Sequence, residues 1–379
     1  MKIAMFTDSY RPQINGMVTS VEAFTKYLRK KGHDVHIFAP HVPGYMDKDR
    51  HVHRFRSFAF RSYREYRIGM PYKFLTDPRL KKLDFDVVHV HSPFSMGVAG
   101  ITYASYHKIP VVGTFHTMFP DYAHYFMNEK LYRIKRIYDM FKRGAWKYLS
   151  WFYNNCDIVI SPSDYTKKMM RKNYIAKKII VIPTGIETKK STKKKKSLRK
   201  KYKFKKTDKI ILHVGRITKE KNILFILDSV KKIIEKDEKI KMIIASDGPF
   251  ADETKKYTKS IGISKNVFFT GYVSREKLQE LYLISDVFAM ASATETQGIV
   301  LLEAAINGLP CVVLDAPVIT DFVIKYEIGI VAKNNNFAQK LEKAIFDGYR
   351  FSNRKIMNEY SIEKCAQKLI DVYESLCRR

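Results

Sequence analysis

Residues 2–40 decide the fold class of the first half of the chain, and they read KIAMFTDSYRPQINGMVTSVEAFTKYLRKKGHDVHIFAP. Residues 2–7 are apolar enough for a buried strand, and a helix predicted over about 17–31 stops at Gly32. Residues 34–39 form the next apolar run. A strand, a helix and another strand of these lengths make a βαβ unit with parallel strands. We therefore expect an α/β fold with a doubly wound parallel sheet.

The pattern continues and then restarts after a basic stretch. Residues 187–206 contain twelve Lys or Arg and one acid, Glu187, and a new apolar strand follows at 209–215. These changes predict a first Rossmann-like domain over 1–186, a basic linker region over 187–206 and a second Rossmann-like domain over 207–360. Further strands are predicted at 86–90, 111–115, 157–161, 241–245, 267–269, 286–291 and 311–314, and helices near 222–236, 275–284, 299–307 and 361–379.

The composition excludes several classes of protein. The 379 residues are 45% apolar, which argues against overall disorder. The four cysteines show no CxxC spacing, so a disulfide scaffold or zinc module of that kind is excluded and a cytoplasmic protein is expected. No apolar run is long enough to span a bilayer. The net charge of +31 predicts attraction to phosphates, either of a nucleic acid or of anionic lipid headgroups.

The most informative motif spans residues 291–310, ASATETQGIVLLEAAINGLP. It predicts a strand end, a polar loop that contains Glu295, and a helix that contains Glu303. The first amides of that helix, around Gly298, point outward at the positive end of the helix dipole. Amides for phosphate and carboxylates for sugar hydroxyls together suit a diphosphate with an attached sugar.

Other candidates follow predicted strands. Arg216 and Lys221 come directly after the strand at 209–215 and can neutralise two phosphates, although isolated cations in so basic a chain carry little information. Gly16 precedes a predicted helix, where a turn glycine without a ligand is the commoner case. His116 lies at a strand's carboxyl end, where a structural role is the commoner one. The ordered combination is more specific than any single member.

In that order these residues resemble the retaining glycosyltransferases of family 4, which have the GT-B fold. Gly16 matches the first-loop glycine, His116 the histidine of the acceptor domain, and Glu295 with Glu303 the E-x7-E signature. The text around Glu295 looks most like bacterial enzymes that glucosylate or galactosylate diacylglycerol. The resemblance implies two Rossmann-like domains that face each other across a cleft.

The resemblance also implies roles at the site. Glu303 would hold the ribose hydroxyls, Glu295 the donor sugar, Arg216 and Lys221 the diphosphate, and His116 would lie beside the transferred sugar and the acceptor. Further donor-binding positions would be Gly16, Tyr272, Val273, Gln297, Gly298, Ile299 and Val300. The implied catalytic set is His116, Arg216, Lys221 and Glu295. No metal would be required and Mg²⁺ would at most stimulate, because cations and helix amides supply the electrostatic stabilisation.

Two basic segments bear on the acceptor. Residues 54–82 alternate cations with aromatic rings, and residues 130–151 place apolar side chains near helical spacing among cations. Each pattern is typical of a bilayer interface, but the first also suits single-stranded nucleic acid and the second a core-facing helix. The predicted membrane-contact residues are Phe58, Phe60, Arg61, Tyr63, Arg64 and Arg67.

We therefore hypothesise an enzyme that transfers a hexose, as glucose from UDP-glucose, to 1,2-diacylglycerol. It would bind an anionic lipid surface peripherally on the inner face of the cell membrane. Alternatives are a same-fold transferase with another donor or with a soluble or polyprenyl acceptor and, more remotely, a nucleic-acid-binding protein. Nucleic-acid binding would give Glu295 and Glu303 no role, so we expect no nucleic-acid partner.

Overall fold

The computed structural model describes residues 1–60, 63–71, 83–123, 126–127, 131, 133–187 and 193–378, with the backbone alone at 63–65. The chain forms two compact units, one made of Met1–Ile186 with Ile362–Arg379 and the other of Glu187–Ser361. Each unit is built on its own parallel sheet. The α/β fold class predicted from the first βαβ unit is therefore confirmed.

The first unit contains a parallel sheet whose described strands run in the order β3-β2-β1-β6-β7-β8-β9. The strands are β1 (Lys2–Phe6), β2 (Asp34–Pro40), β3 (Val52–Phe55), β6 (Val87–Val90), β7 (Val111–Thr114), β8 (Ile158–Ser161) and β9 (Lys178–Val181). Strands β1, β6, β7 and β8 are almost wholly apolar and buried, as a sheet covered on both faces requires. Strand order reverses at β1, so the loops after β1 and β6 lie side by side at the carboxyl ends of the strands.

Helices cover both faces of this sheet. They are α1 (Gly16–Lys30), α2 (Ser95–His107), α3 (Lys135–Asn154), α4 (Asp164–Lys172) and the carboxyl-terminal α13 (Ile362–Cys377). Leu369 and Tyr373 of α13 share a buried core with Val21 and Leu28 of α1. The last helix of the chain thus completes the first unit. Its buried Tyr373 hydroxyl lies 2.6 Å from Nδ1 of His89 on β6.

An antiparallel hairpin stands apart from the sheet, formed by β4 (Ser57–Phe60) and β5 (Tyr63–Gly69). The sequence predicts only a basic, aromatic interfacial segment here. Residues 61–62 and 72–82 lie outside the described residues, as do the side chains of Tyr63 and Arg64. Arg67 donates hydrogen bonds to the Ser57 hydroxyl at 2.7 Å and to the Ser57 carbonyl at 2.9 Å. The Arg67 guanidinium thus joins the two strands of the hairpin, a role that the expectation of membrane contact does not include.

The second unit has a parallel sheet with described strands in the order β12-β11-β10-β13-β14-β15. They are β10 (Lys209–Val214), β11 (Ile240–Ala245), β12 (Val267–Phe269), β13 (Val287–Met290), β14 (Cys311–Leu314) and β15 (Gly329–Ala332). The helices are α5 (Lys195–Lys201), α6 (Ile223–Ile234), α7 (Ala251–Ser260), α8 (Arg275–Ile284), α9 (Ile299–Ile306), α10 (Pro317–Tyr326), α11 (Phe337–Phe346) and α12 (Arg354–Glu359). Strand order reverses between β10 and β13, which places the loops after these two strands together.

The basic stretch belongs to this second unit in its described part, 193–206. Glu280 of α8 is buried and accepts hydrogen bonds from Lys193, Lys201 and the Tyr202 hydroxyl. These three donors lower the pKa of Glu280 to about 2. Arg199 pairs with Asp286 at 2.6 Å. The described residues 193–206 are therefore held by ion pairs to α8 and to Asp286, the residue before β13.

Candidate functional site

The loop before α9 leads into the first backbone amides of that helix. Gly298 has a φ of +78° and immediately precedes the helix, and a Cβ there would come within 2.8 Å of Ile319. The first intrahelical hydrogen bonds run from Leu301 and Leu302 to the Gly298 carbonyl. The amides of Gly298, Ile299 and Val300 precede them and point along the positive end of the helix dipole. An anion of phosphate size fits such a helix start.

Glu303 lies in the second turn of α9 and is held by Tyr282 of α8. The Tyr282 hydroxyl lies 3.0 Å from Oε2 of Glu303 and 3.2 Å from the Val300 carbonyl. Burial raises the pKa of Glu303, and the hydrogen bond from Tyr282 lowers it. Sequence reasoning missed Tyr282, because nothing in its local pattern distinguishes it from a core aromatic residue.

Lys221 and Glu295 form an ion pair between two loops at the carboxyl ends of the strands. Nζ of Lys221 lies 2.5 Å from Oε1 of Glu295. Beside them lies His213, a buried residue at the end of β10 whose Nδ1 is 3.0 Å from the Ala289 carbonyl. Burial lowers the pKa of His213 to about 4, so the ring is neutral near pH 7. Sequence reasoning missed His213, although a histidine inside the apolar run KIILHV was a usable signal.

Arg216 lies in the same turn after β10. Burial lowers the pKa of its guanidinium, while the neighbouring Tyr272 and Glu220 raise it. Tyr272 lies in the loop after β12, half exposed, with Val273 next to it. The structure thus brings Arg216 and Tyr272 together, and separately Lys221 and Glu295, from residues far apart in the sequence.

Two further hydroxyls near Glu295 are buried and make no hydrogen bond within the described residues, namely those of Ser292 and Thr294. Gln297, in the same loop, is also buried. Buried hydroxyls without a protein partner, such as those of Ser292 and Thr294, are rare and indicate a place for a ligand or water. This loop therefore has hydrogen-bonding capacity left for a polar ligand.

The first unit carries the other two predicted site residues. Gly16 is the first residue of α1, and the side chain of Asn15 caps that helix by accepting from the Val18 amide at 3.0 Å. His116 follows β7, and its Nε2 lies 3.0 Å from Nδ1 of the buried His91. Burial lowers the pKa of His116 to about 3, so its ring is neutral at physiological pH.

The two sequence segments expected at a lipid surface meet in this unit. The Phe60 ring of the hairpin lies 5.4 Å from Phe126, and Phe126 lies 6.0 Å from Phe141 of α3. We call this contact the aromatic patch. On the same hairpin and the same helix, the large apolar side chains of Phe58 and Met140 are 49% and 62% exposed. Leu131 and Ile134 are also exposed, together with the cations Arg133, Lys135, Arg136 and Arg143. Among the described helices, none has the length and apolar character needed to cross a bilayer.

Comparison with known families divides the chain as the structure does. Residues 14–190 match the model described as Glycosyltransferase Family 4. Residues 194–364 match the model described as Glycosyl transferases group 1.

Two curated relatives are alpha-monoglucosyldiacylglycerol synthases. The chain is 31% identical to the one from Streptococcus pneumoniae over 85% of this chain and 73% of the relative. It is also 31% identical to the one from Acholeplasma laidlawii over 88% of this chain and 85% of the relative. Among solved structures, a sucrose-phosphate synthase from Thermosynechococcus elongatus superposes with a TM-score of 0.78 at 18% identity, covering 99% of this chain and 98% of that one.

Proposed function

Because the chain belongs to glycosyltransferase family 4 and is a nucleotide-sugar-dependent hexosyltransferase, we propose that it transfers glucose from UDP-glucose to 1,2-diacylglycerol. The product is an α-glucosyl diacylglycerol. The observation that carries the proposal is the 31% identity to two alpha-monoglucosyldiacylglycerol synthases over most of each chain.

The arrangement in the second unit supports a nucleoside diphosphate sugar as donor. Arg216, Lys221 and the amides at the start of α9 carry positive charge or partial charge toward a diphosphate. Glu303, with its Tyr282 partner, accepts hydrogen bonds from the ribose hydroxyls, and Glu295 accepts them from the sugar. Gln297 and the loop of Tyr272 and Val273 border the same ligand.

The proposed reaction retains the configuration at the anomeric carbon. The bond between that carbon and the β-phosphate oxygen breaks, and the acceptor hydroxyl oxygen bonds to the carbon on the same face. The acceptor proton passes to the departing phosphate oxygen. Lys221 and Arg216 stabilise the charge that develops on the leaving diphosphate. These groups can act without a divalent metal, so we propose that EDTA leaves turnover intact and that Mg²⁺ at most stimulates it.

The aromatic patch supports an acceptor drawn from a membrane. Rings and aliphatic side chains that enter the acyl boundary, flanked by cations that attract anionic headgroups, are the features of a peripheral membrane surface. The exposed apolar side chains here are those of Phe58, Phe126, Ile134 and Met140, and the cations are Arg133, Arg136 and Arg143. We propose that this surface holds the enzyme on the inner face of the cell membrane.

The test is a matrix of donors and acceptors. UDP-glucose, UDP-galactose and GDP-mannose are each incubated with diacylglycerol in anionic vesicles, with a polyprenyl phosphate, and with a soluble polyol, and products are read by mass. The proposal expects a hexosyl diacylglycerol from UDP-glucose, and nuclear magnetic resonance of that product should show the α-anomer. Turnover of the polyol alone would overturn the lipid acceptor, and turnover of another donor alone would overturn UDP-glucose.

A further inference from the structure

A second cluster of polar side chains lies at the amino ends of strands in the first unit. Asp34 and His36 stand on the same face of β2, two residues apart, and His51 precedes β3, where its carbonyl accepts from the Ile37 amide at 2.8 Å. Gly16 and His116 come from the opposite, carboxyl ends of the strands of this unit. The cluster is therefore separate from the candidate transferase residues.

Its atoms converge on one point. Oδ1 of Asp34 lies 3.2 Å from Nε2 of His36 and 3.5 Å from Nε2 of His51. One ligand atom from each of these three residues falls within 4.8 Å of the other two. Ligands about 2.0 to 2.1 Å from a tetrahedral ion stand about 3.4 Å apart, so the two distances from Asp34 match a shared ion.

The protein itself leaves one of these atoms unsatisfied. The His36 side chain is only 7% exposed, and its Nε2 is buried and makes no hydrogen bond of good geometry. A buried imidazole nitrogen that faces a carboxylate without hydrogen-bonding to it is well placed to bind a cation.

The second nitrogen of each imidazole ring also has a partner that orients the ring. Nδ1 of His36 lies 2.9 Å from Nε2 of His53, and Nδ1 of His51 lies 3.4 Å from Oδ1 of Asp49. Asp49 is held in turn by Arg29 at 2.5 Å. Outer partners on the second ring nitrogen are typical of metal-binding histidines, because they fix the tautomer and the ring orientation.

We propose that Asp34, His36 and His51 bind a divalent transition-metal ion of the Zn²⁺ type. Two imidazoles and one carboxylate suit this class of ion, and the half-exposed His51 and Asp34 leave the fourth position to water. The ion links the start of β2 to the start of β3. Its role is structural, because it ties the outermost strand to the sheet and does not take part in hexosyl transfer.

The test uses the full chain without an affinity tag, treated with chelator and then dialysed. Zn²⁺ is titrated against a chromophoric chelator, and thermal unfolding is followed with and without Zn²⁺. We expect one tight equivalent and a higher Tm with Zn²⁺. His51→Ala and Asp34→Asn, at half-exposed positions, should weaken binding by roughly tenfold or more and remove the Tm response.

Two controls separate this site from other histidines. His41→Ala changes an exposed histidine just beyond the other end of β2, and His33→Ala removes the ring 3.3 Å from the terminal amine. Both should bind Zn²⁺ like the unmodified chain. The proposal would be overturned if Asp34→Asn and His51→Ala bound Zn²⁺ as tightly as the unmodified chain. It would also be overturned if only His33→Ala lost binding. Either result leaves the transferase assignment untouched.

Discussion

Nζ of Lys221 donates to Oε1 of Glu295 across 2.5 Å, joining the turn after β10 to the loop before α9. Both side chains are mostly buried. A charged pair at reduced exposure is sensitive to the loss of either partner, because the charge that remains is left without its counterion.

Replacing Glu295 with Gln is expected to lower kcat by roughly 100-fold, because the sugar loses its carboxylate acceptor and Lys221 loses its position. Lys221→Met should have an effect of similar size. Since the two side chains touch, the double variant should lose less than the product of the two single losses. Steady-state transfer assays measure this, with thermal unfolding to confirm that each variant folds. Fully multiplicative losses would show that the two residues act independently.

Tyr282→Phe is expected to change the pH dependence of donor binding. The ionised form of Glu303 accepts the donor hydroxyls, so donor affinity should fall as pH falls through the pKa of Glu303. The Tyr282 hydrogen bond lowers that pKa against the effect of burial. Without the hydroxyl the pKa rises further, and the acid limb of kcat/KM for the donor should move to higher pH.

Profiles of kcat/KM against pH for the unmodified chain, Tyr282→Phe and Glu303→Gln provide the measurement. Glu303→Gln is the matched control, since its amide does not titrate and the limb should disappear. An acid limb that stays in place in Tyr282→Phe would contradict the assigned role of this hydroxyl.

His91 is expected to act as a positioning residue for His116. Their rings stack with centroids 5.3 Å apart, and a contact of 3.0 Å joins Nε2 of His116 to Nδ1 of His91. His116→Ala should lower kcat by roughly 100-fold if its neutral ring contacts the reacting groups. His91→Ala should lower kcat by a smaller factor, leave the KM for the donor unchanged, and be partly rescued by His91→Gln. A change confined to Tm would assign His91 to stability alone.

Reversing the charge of Arg133, Arg136 and Arg143 to Glu should release the protein from anionic vesicles. The three cations lie on α3 or just before it, the helix that carries Phe141 of the aromatic patch. Because their attraction to headgroups is lost, we expect binding to weaken by roughly tenfold or more. The control reverses Lys168, Lys172 and Lys177, which are exposed on α4 and the following loop and change the net charge equally. Vesicle co-sedimentation measures both. Equal losses in the two variants would indicate a net-charge effect and not a defined surface.

The sequence predicts the central strands well and the peripheral ones poorly. The run at 209–215 becomes Lys209–Val214, and the strand at 311–314 is found with the same bounds. In contrast, β3 and the hairpin have no clear apolar pattern. Arg54 in β3 is stabilised by Asp47 at 2.8 Å, an ion pair from a loop that local periodicity does not reveal. Such strands depend on tertiary partners more than on their own residue pattern.

At the site, the sequence alone determined which residue types follow which strands. Three such features are local properties of the chain: a glycine before a helix, the carboxylates at 295 and 303, and the cations after β10. They can be predicted because they depend only on backbone conformation and on position along the chain. Only the tertiary structure decided the pairings. Lys221 with Glu295, Tyr282 with Glu303 and His91 with His116 are each separated by 21 or more positions. The first and third pairs meet because parallel strands bring their carboxyl ends to one edge of each sheet, and Tyr282 meets Glu303 because helices α8 and α9 bring the two side chains together. In each case burial, and not sequence spacing, sets which charges and rings touch.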